Sequence, residues 1–310
     1  MRRKTGVCLR SRTRCNRPLR MVNELRGILK KGAISMIIDT HTHFYDPFRA
    51  QGVPWPEKDD EILYRRALPE DYKALAVPEG VTGTVMVECS PWVEDNQWVL
   101  DLAAADPFIV GLVGHLEPDD PEFAAHLERF AADPVFVGIR ARVDVAESHG
   151  LAAAEMLVAH DLELDTGLHE GVPALAARFP ELRIVVNHIG GIPIDGGPPD
   201  PAQLELMRQA AAHPQVYCKV SGLMDLRSQV KPAPTDVDFY VPVLDALWDM
   251  FGEDRLIYGS DWPVSDRSGR EYADIQRLVM TYFTARGEEA TEKYFWRNAK
   301  AAYKWIDRVG

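Results

Sequence analysis

Met36-Ile37-Ile38-Asp39-Thr40-His41-Thr42-His43-Phe44 reads as a short apolar strand that ends in two histidines. Side chains on a strand alternate between faces, so His41 and His43 point the same way, roughly 6–7 Å apart along the chain. Two imidazoles on one face at a strand end can grip a metal ion or polarise a substrate. Two histidines on an ordinary solvated strand look the same in isolation. What the rest of the chain sets beside them decides.

Working outward, seven more strand candidates follow: Val81–Glu88, Phe108–Val113, Val135–Ile139, Leu162–Leu164, Leu182–Val186, Val216–Val220 and Leu256–Tyr258. Between them lie helical patterns at Asn96–Ala105, Pro121–Ala131, Ala152–His160, Val172–Phe179, Pro201–Ala212 and Tyr240–Phe251, with Glu271–Thr284 and Arg297–Trp305 after the last strand. Short continuous apolar strands between amphipathic helices imply a parallel sheet covered on its outer side. Eight such units predict an α/β fold, a single-domain (β/α)8 TIM barrel with its site at the C-terminal strand ends. A doubly wound open sheet is the alternative, but it calls for a glycine-rich turn after the first strand, where this chain has His-Thr-His. Asp46–Leu68, rich in Pro, Asp and Arg, reads as a long loop over the site with a short helix near its end.

Polar residues then stand where the strands stop. His41 and His43 end the first, Arg140 follows Ile139, His188 follows Asn187, Lys219 ends the strand from Val216, and Asp261 follows Ser260. In a barrel these ends converge on one pocket. His115, His126, His149, His160 and His213 lack such partners and read as surface or structural residues. Tyr294–Trp296 and Trp305 suit packing of the last helices, while Trp55 and Trp92, in loops after strands, are candidates for the pocket wall.

Composition narrows the partners. The 310 residues are 46% hydrophobic and 26% charged, an ordinary globular balance with a formal net charge of −12. Residues 1–35 hold eleven of the 35 Lys/Arg and one of the 47 acids, which leaves 24 bases against 46 acids in residues 36–310. So acidic a body argues against nucleic acid or an anionic membrane surface as partner. The basic head has no apolar run long enough for a signal peptide or a membrane span. Residues 1–35 are expected to be a disordered extension or a start assigned too early, with Met21 or Met36 the true start; a transit peptide is the lesser alternative. Cys8, Cys15, Cys89 and Cys218 show no C-x-x-C pairing, so reduced structural thiols in a cytoplasmic protein are expected.

Together IDTHTHF, NHIGG and IYGSDWPV, in this order and spacing, resemble the amidohydrolase superfamily. The likeness spans about residues 36–305 and is greatest to the lactonase group that takes in the L-fuconolactonases and the 2-pyrone-4,6-dicarboxylate lactonases. Supporting stretches are FVGIRARV, HPQVYCKVSGL and RNAKAAYKW. The resemblance implies a hydrolase that opens a sugar lactone or carboxylated lactone. Asp261 would be the general base; His41, His43 and His188 would polarise the carbonyl; Arg140 and Lys219 would bind an anionic or polyhydroxylated substrate. Lys219 has a second reading, as the partner of a barrel acid such as Glu88. The cofactor is either none or one divalent metal, zinc foremost, on His41, His43 and Asp261, with His188 and His169 as further candidates. Arg140 cannot ligate a metal, and His169 stands a few residues past the fifth strand, in loop-like sequence. A metal-dependent decarboxylase of an unsaturated or aromatic acid, with His169 among its ligands, is the competing chemistry. The loops Asp46–Leu68, Ser90–Asn96, Val143–Gly150, Asp195–Pro201 and Met224–Thr235 are expected to set the substrate, and a homo-oligomer is left open.

Overall fold

A computed structural model describes residues 34–307 of the chain. Eight strands run parallel in chain order: β1 (Ile38–Thr42), β2 (Gly83–Val87), β3 (Ile109–Gly114), β4 (Phe136–Arg140), β5 (Glu163–Thr166), β6 (Ile184–Val186), β7 (Val216–Val220) and β8 (Leu256–Tyr258). A helix follows each: Pro69–Ala76, Val93–Ala105, Phe123–Ala131, Ser148–Ala159, Gly171–Arg178, Pro201–Ala211, Val241–Phe251 and Tyr272–Ala285. The helix expected inside the 46–68 loop lies just beyond it, at Pro69–Ala76. The strands are short apolar runs because both of their faces are covered, one by the helices and one by the barrel interior. The seam closes past β8, where the Asp261 amide donates to the His41 carbonyl at 2.9 Å and the His43 amide to the Trp262 carbonyl at 2.8 Å. This is the expected (β/α)8 barrel.

One irregularity positions the histidines. Asp39 stands opposite Thr84 and Thr42 opposite Met86, so β1 carries one residue more than β2 over this stretch. Ile38 faces inward with Val85, Val185 and Tyr303. Asp39 faces outward, to Tyr72 and Tyr272 on the covering helices. Strict alternation from Asp39 would send His41 and His43 outward as well. The extra residue returns both to the interior.

The far end of the barrel is plugged by the helix Asn298–Tyr303, which sets Tyr303 and Trp305 against Ile38, Val85 and Ile257. Tyr294 stacks on Phe283 of the helix after β8, ring centroids 3.5 Å apart, in keeping with the packing of the last helices expected of Tyr294–Trp296. Over the other end lies the 46–68 loop, held by ion pairs Arg49–Asp95 at 2.6 Å, Arg65–Asp266 at 2.5 Å and Asp60–Arg267. Among the described residues, no helix is long and apolar enough to cross a membrane. Cys89 and Cys218 carry free thiols. The expectations for the basic head, Cys8 and Cys15 included, fall on residues 1–33 and lie outside the described residues.

Candidate active site

The strand ends surround a cavity of roughly 680 Å³. His43, Arg140, His188 and Asp261 line it, with Trp55 from the covering loop and Leu226 from the loop after β7. His41 lies directly beneath, fully buried, its ring 4.5 Å from that of His188 and 5.0 Å from that of His43. Local sequence explains how these groups meet. Gly259 permits the approach of β1, because a Cβ there would sit 2.8 Å from the His41 Cβ. Asp261 adopts a φ of 65°, in the left-handed region that Asp tolerates better than most residues, and this turns its carboxyl back over the seam. His188 and Ile189 have φ of 50° and 51°, followed by Gly190 and Gly191, so the chain doubles back sharply at the end of β6.

The Asp261 Oδ1 lies 3.4 Å from the Nε2 atoms of both His41 and His43. His43 Nδ1 is 2.9 Å from the Val87 carbonyl oxygen, which only accepts, so Nδ1 carries the hydrogen and Nε2 presents a lone pair. Lone pair and carboxylate thus face one another, an arrangement that calls for a proton or a cation between them. His188 Nδ1 pairs with the Ser221 hydroxyl at 2.9 Å, leaving its other nitrogen for the cavity. Both nitrogens of His41 and the Oδ2 of Asp261 are buried without a hydrogen-bond partner.

Burial dominates the titration of this cluster. It holds His41 and His188 well below the usual imidazole range, with Lys219 and Arg140 pushing the same way. His43 is lowered to about 4, by burial first and Arg140 second. All three are neutral at pH 7. Burial raises Asp261 to about 7, against the opposing pull of its hydrogen bond with Asp225 first and of Arg140 and Lys219 after it. Asp225, also buried, is raised to about 8 by burial and by the neighbouring Asp261 carboxylate.

A single divalent cation fits this donor set. One donor atom each from His41, His188 and Asp261 lie within 4.8 Å of one another. Two neutral imidazoles and a carboxylate are ordinary ligands for a hydrolytic metal, and such an ion would satisfy the buried atoms of His41 and Asp261 that make no hydrogen bond. Of the expected ligands the group takes in His41, Asp261 and the further candidate His188, while His43, its Nδ1 held by the Val87 carbonyl, keeps Nε2 3.4 Å from the same Asp261 oxygen.

The sequence model of the amidohydrolase family matches residues 38–305. The chain belongs to the amidohydrolase family. A relative from Burkholderia ambifaria, named L-fucono-1,5-lactonase, is 37% identical over 245 residues, which span 75% of this amidohydrolase and 82% of the relative. A 4-sulfomuconolactone hydrolase from Hydrogenophaga intermedia is 26% identical over 281 residues, 86% of this chain and 84% of that one. Among solved structures, an amidohydrolase from Burkholderia multivorans with bound zinc superposes with a TM-score of 0.73 at 24% identity. It covers 87% of this chain and 100% of its own.

Of the substrate-binding candidates in this amidohydrolase, Arg140 lines the cavity and Lys219 does not. The Lys219 ammonium is fully buried, 2.6 Å from Asp165 Oδ2, so the barrel acid it pairs with is Asp165 and not Glu88. Glu88 lies instead 3.8 Å from Arg140, on the cavity wall. His169 also lines the cavity, with its Nδ1 accepting the Gly171 amide at 3.2 Å, but it stays outside the metal-donor group. Trp55 is at the pocket as expected, its ring 6.2 Å from that of His43. Trp92 is not; it is 40% exposed, beneath the Arg49 guanidinium. His115, expected to be a bystander, lines the cavity 3.1 Å from Glu117, its backbone gripped on both sides by the Asn96 amide. Its place directly after β3 was the available signal. Of the five loops expected to set the substrate, 46–68 and 224–235 reach the cavity wall, whereas 90–96, 143–150 and 195–201 do not.

Proposed function

We propose that this amidohydrolase opens a lactone ring by water attack, with Asp261 as general base. The observation that carries the reading is the convergence of three neutral histidines and one raised carboxyl at the floor of a cavity large enough for a small cyclic ester. Asp261, with the Asp225 carboxyl beside it, accepts a proton from water; the resulting hydroxide adds to the carbonyl carbon. Charge builds on the carbonyl oxygen, and the cluster of His41, His43 and His188 is where it is stabilised. The ring C–O bond then breaks, the leaving alkoxide takes the proton back from Asp261, and a hydroxy acid departs. One zinc ion on His41, His188 and Asp261 would supply Lewis acidity at the carbonyl when bound, a reading supported by the donor set and by the zinc-bound relative.

The cavity wall mixes signs. Arg140 and Arg142 stand with Glu88, Glu117, His115 and His169, which suits a hydroxyl-rich sugar lactone better than a substrate with several carboxylates. The lactonase names of the relatives from Burkholderia ambifaria and Hydrogenophaga intermedia support ring opening. For decarboxylation, His169 would be needed among the ligands, and its position outside the donor group gives that reading no support.

The test is a panel of sugar and carboxylated lactones run with the purified protein before and after chelation, with metal content measured alongside. Acid release from a sugar lactone, with close to one zinc per chain, is expected. A protein that opens no lactone, or an Asp261→Asn variant as active as the parent, ends this reading.

A further inference from the structure

We propose that Asp39 is the positioning residue of this site: a buried carboxylate that sets His41 and Asp261 in register across the barrel seam without touching the substrate. The inference rests on the reading above that these two residues perform the hydrolysis. The bulge in β1 is its starting point. An extra residue in a strand leaves a backbone group without its ladder partner, and a buried unpaired N–H is costly. Here the amide in question is that of His41, and Asp39 Oδ1 accepts it at 3.1 Å. The same oxygen accepts the Ser260 amide at 2.8 Å. One atom therefore joins the backbone that carries His41 to the backbone immediately before Asp261. The neighbouring bond from the Asp261 amide to the His41 carbonyl, 2.9 Å, completes the clasp.

The other oxygen is fixed from outside the barrel. Tyr72 donates to Asp39 Oδ2 at 2.6 Å and Tyr272 at 3.3 Å, and the two hydroxyls are 3.1 Å apart. The Tyr272 hydroxyl also lies 3.1 Å from that of Tyr258 on β8. Asp39 and Tyr72 are fully buried and Tyr272 nearly so. The carboxylate thus has four donors from four segments: β1, the seam after β8, the helix after β1 and the helix after β8. None of these contacts faces the cavity. A group so placed acts on the geometry of catalysis and not on binding, so its loss should fall on kcat. Displacing reacting groups by about 1 Å costs on the order of 10²-fold in rate.

The experiment compares Asp39→Ala, Asp39→Asn and the pair Tyr72→Phe/Tyr272→Phe on a lactone that the parent enzyme opens. Alongside, hydrogen exchange is followed at the His41 and Ser260 amides. Asp39→Ala should lower kcat by about 10²-fold with KM within about twofold, and lose protection at both amides. Asp39→Asn keeps the Oδ1 acceptor and should retain kcat within about tenfold and both protections. If Asp39→Ala does not fold, the Asn variant and the tyrosine pair decide, the pair giving an intermediate loss confined to kcat. An Asn variant as impaired as Ala, a loss that appears in KM, or unchanged exchange at His41 and Ser260 overturns the proposal. The exchange arm needs no substrate. Should the parent open no lactone, the functional reading fails while the assignment of Asp39 is still decided by protection.

Discussion

At the scale of single residues, the site works by keeping charge off its histidines and a proton close to its acid. Asp261 is raised to about 7 by burial, and a general base acts only when ionised. The expected pH profile of kcat/KM therefore climbs about tenfold per unit below pH 7 and flattens above it, the opposite of a site needing a protonated acid. His43, lowered to about 4, stays neutral across that range and adds no limb of its own. Asp261→Asn should cost on the order of 10²–10⁴-fold in kcat and abolish the limb. A stopped-flow or pH-indicator assay from pH 5 to 9 checks both. A profile flat through pH 7 in the parent would remove Asp261 as the titrating base. His41, His43, Arg140, His188 and Asp261 were legible because each terminates an apolar run. His115 also follows such a run but sits in sequence that reads as loop, and its membership depends on how β3 is aimed. Asp39 was hidden for a different reason. Alternation assigns it to the face of His41, and a bulge is a property of pairing between strands that one strand's sequence does not carry.

At the scale of elements, eight strands and their covering helices were readable because a parallel sheet leaves an unbroken apolar signature. The loops were not. Nothing in Asp46–Leu68 announces that Arg49, Asp60 and Arg65 tie it to Asp95, Arg267 and Asp266, or that Trp55 hangs from it beside His43. Ion pairs join residues far apart in sequence, and single-sequence patterns see only neighbours. The Arg49 pair is the best protected of the three, with side chains 13% and 18% exposed, and its guanidinium also lies over Trp98 at 5.1 Å. Arg49→Ala is expected to loosen the loop, raising KM about three- to tenfold while kcat changes by about twofold or less. Global stability should fall by only about 1–2 kcal/mol. Steady-state kinetics with limited proteolysis of the loop is the measurement; an unchanged KM with an intact cleavage pattern would show that the strap does not govern the pocket.

At the scale of the whole molecule, the two ends of the barrel are joined through its axis. Tyr303, from the plug at the far end, donates to Asp165 Oδ1 at 3.0 Å, and Asp165 Oδ2 holds Lys219 at 2.6 Å. The Lys219 stem in turn packs beside Gly259, the same glycine that the His41 Cβ approaches. Glu163, two residues before Asp165 on β5, is pushed well above the usual carboxylate range by burial and by Asp165, which favours its neutral form over a second buried negative charge. One ion pair then lies in the core with a neutral acid beside it. Breaking such a pair from one side strands the other charge, which costs about 3–5 kcal/mol, whereas removing both charges is close to neutral. Lys219→Met should therefore lower the urea-unfolding free energy by about that amount. Adding Asp165→Asn, which keeps an acceptor for Tyr303, should restore most of it, a non-additivity expected only of groups in direct contact. If the double variant is as unstable as Lys219→Met alone, the lysine's contribution comes from packing its stem against Gly259 and not from its charge. Recovery of stability with kcat still depressed would separate the charge's service to the fold from its service to the histidines.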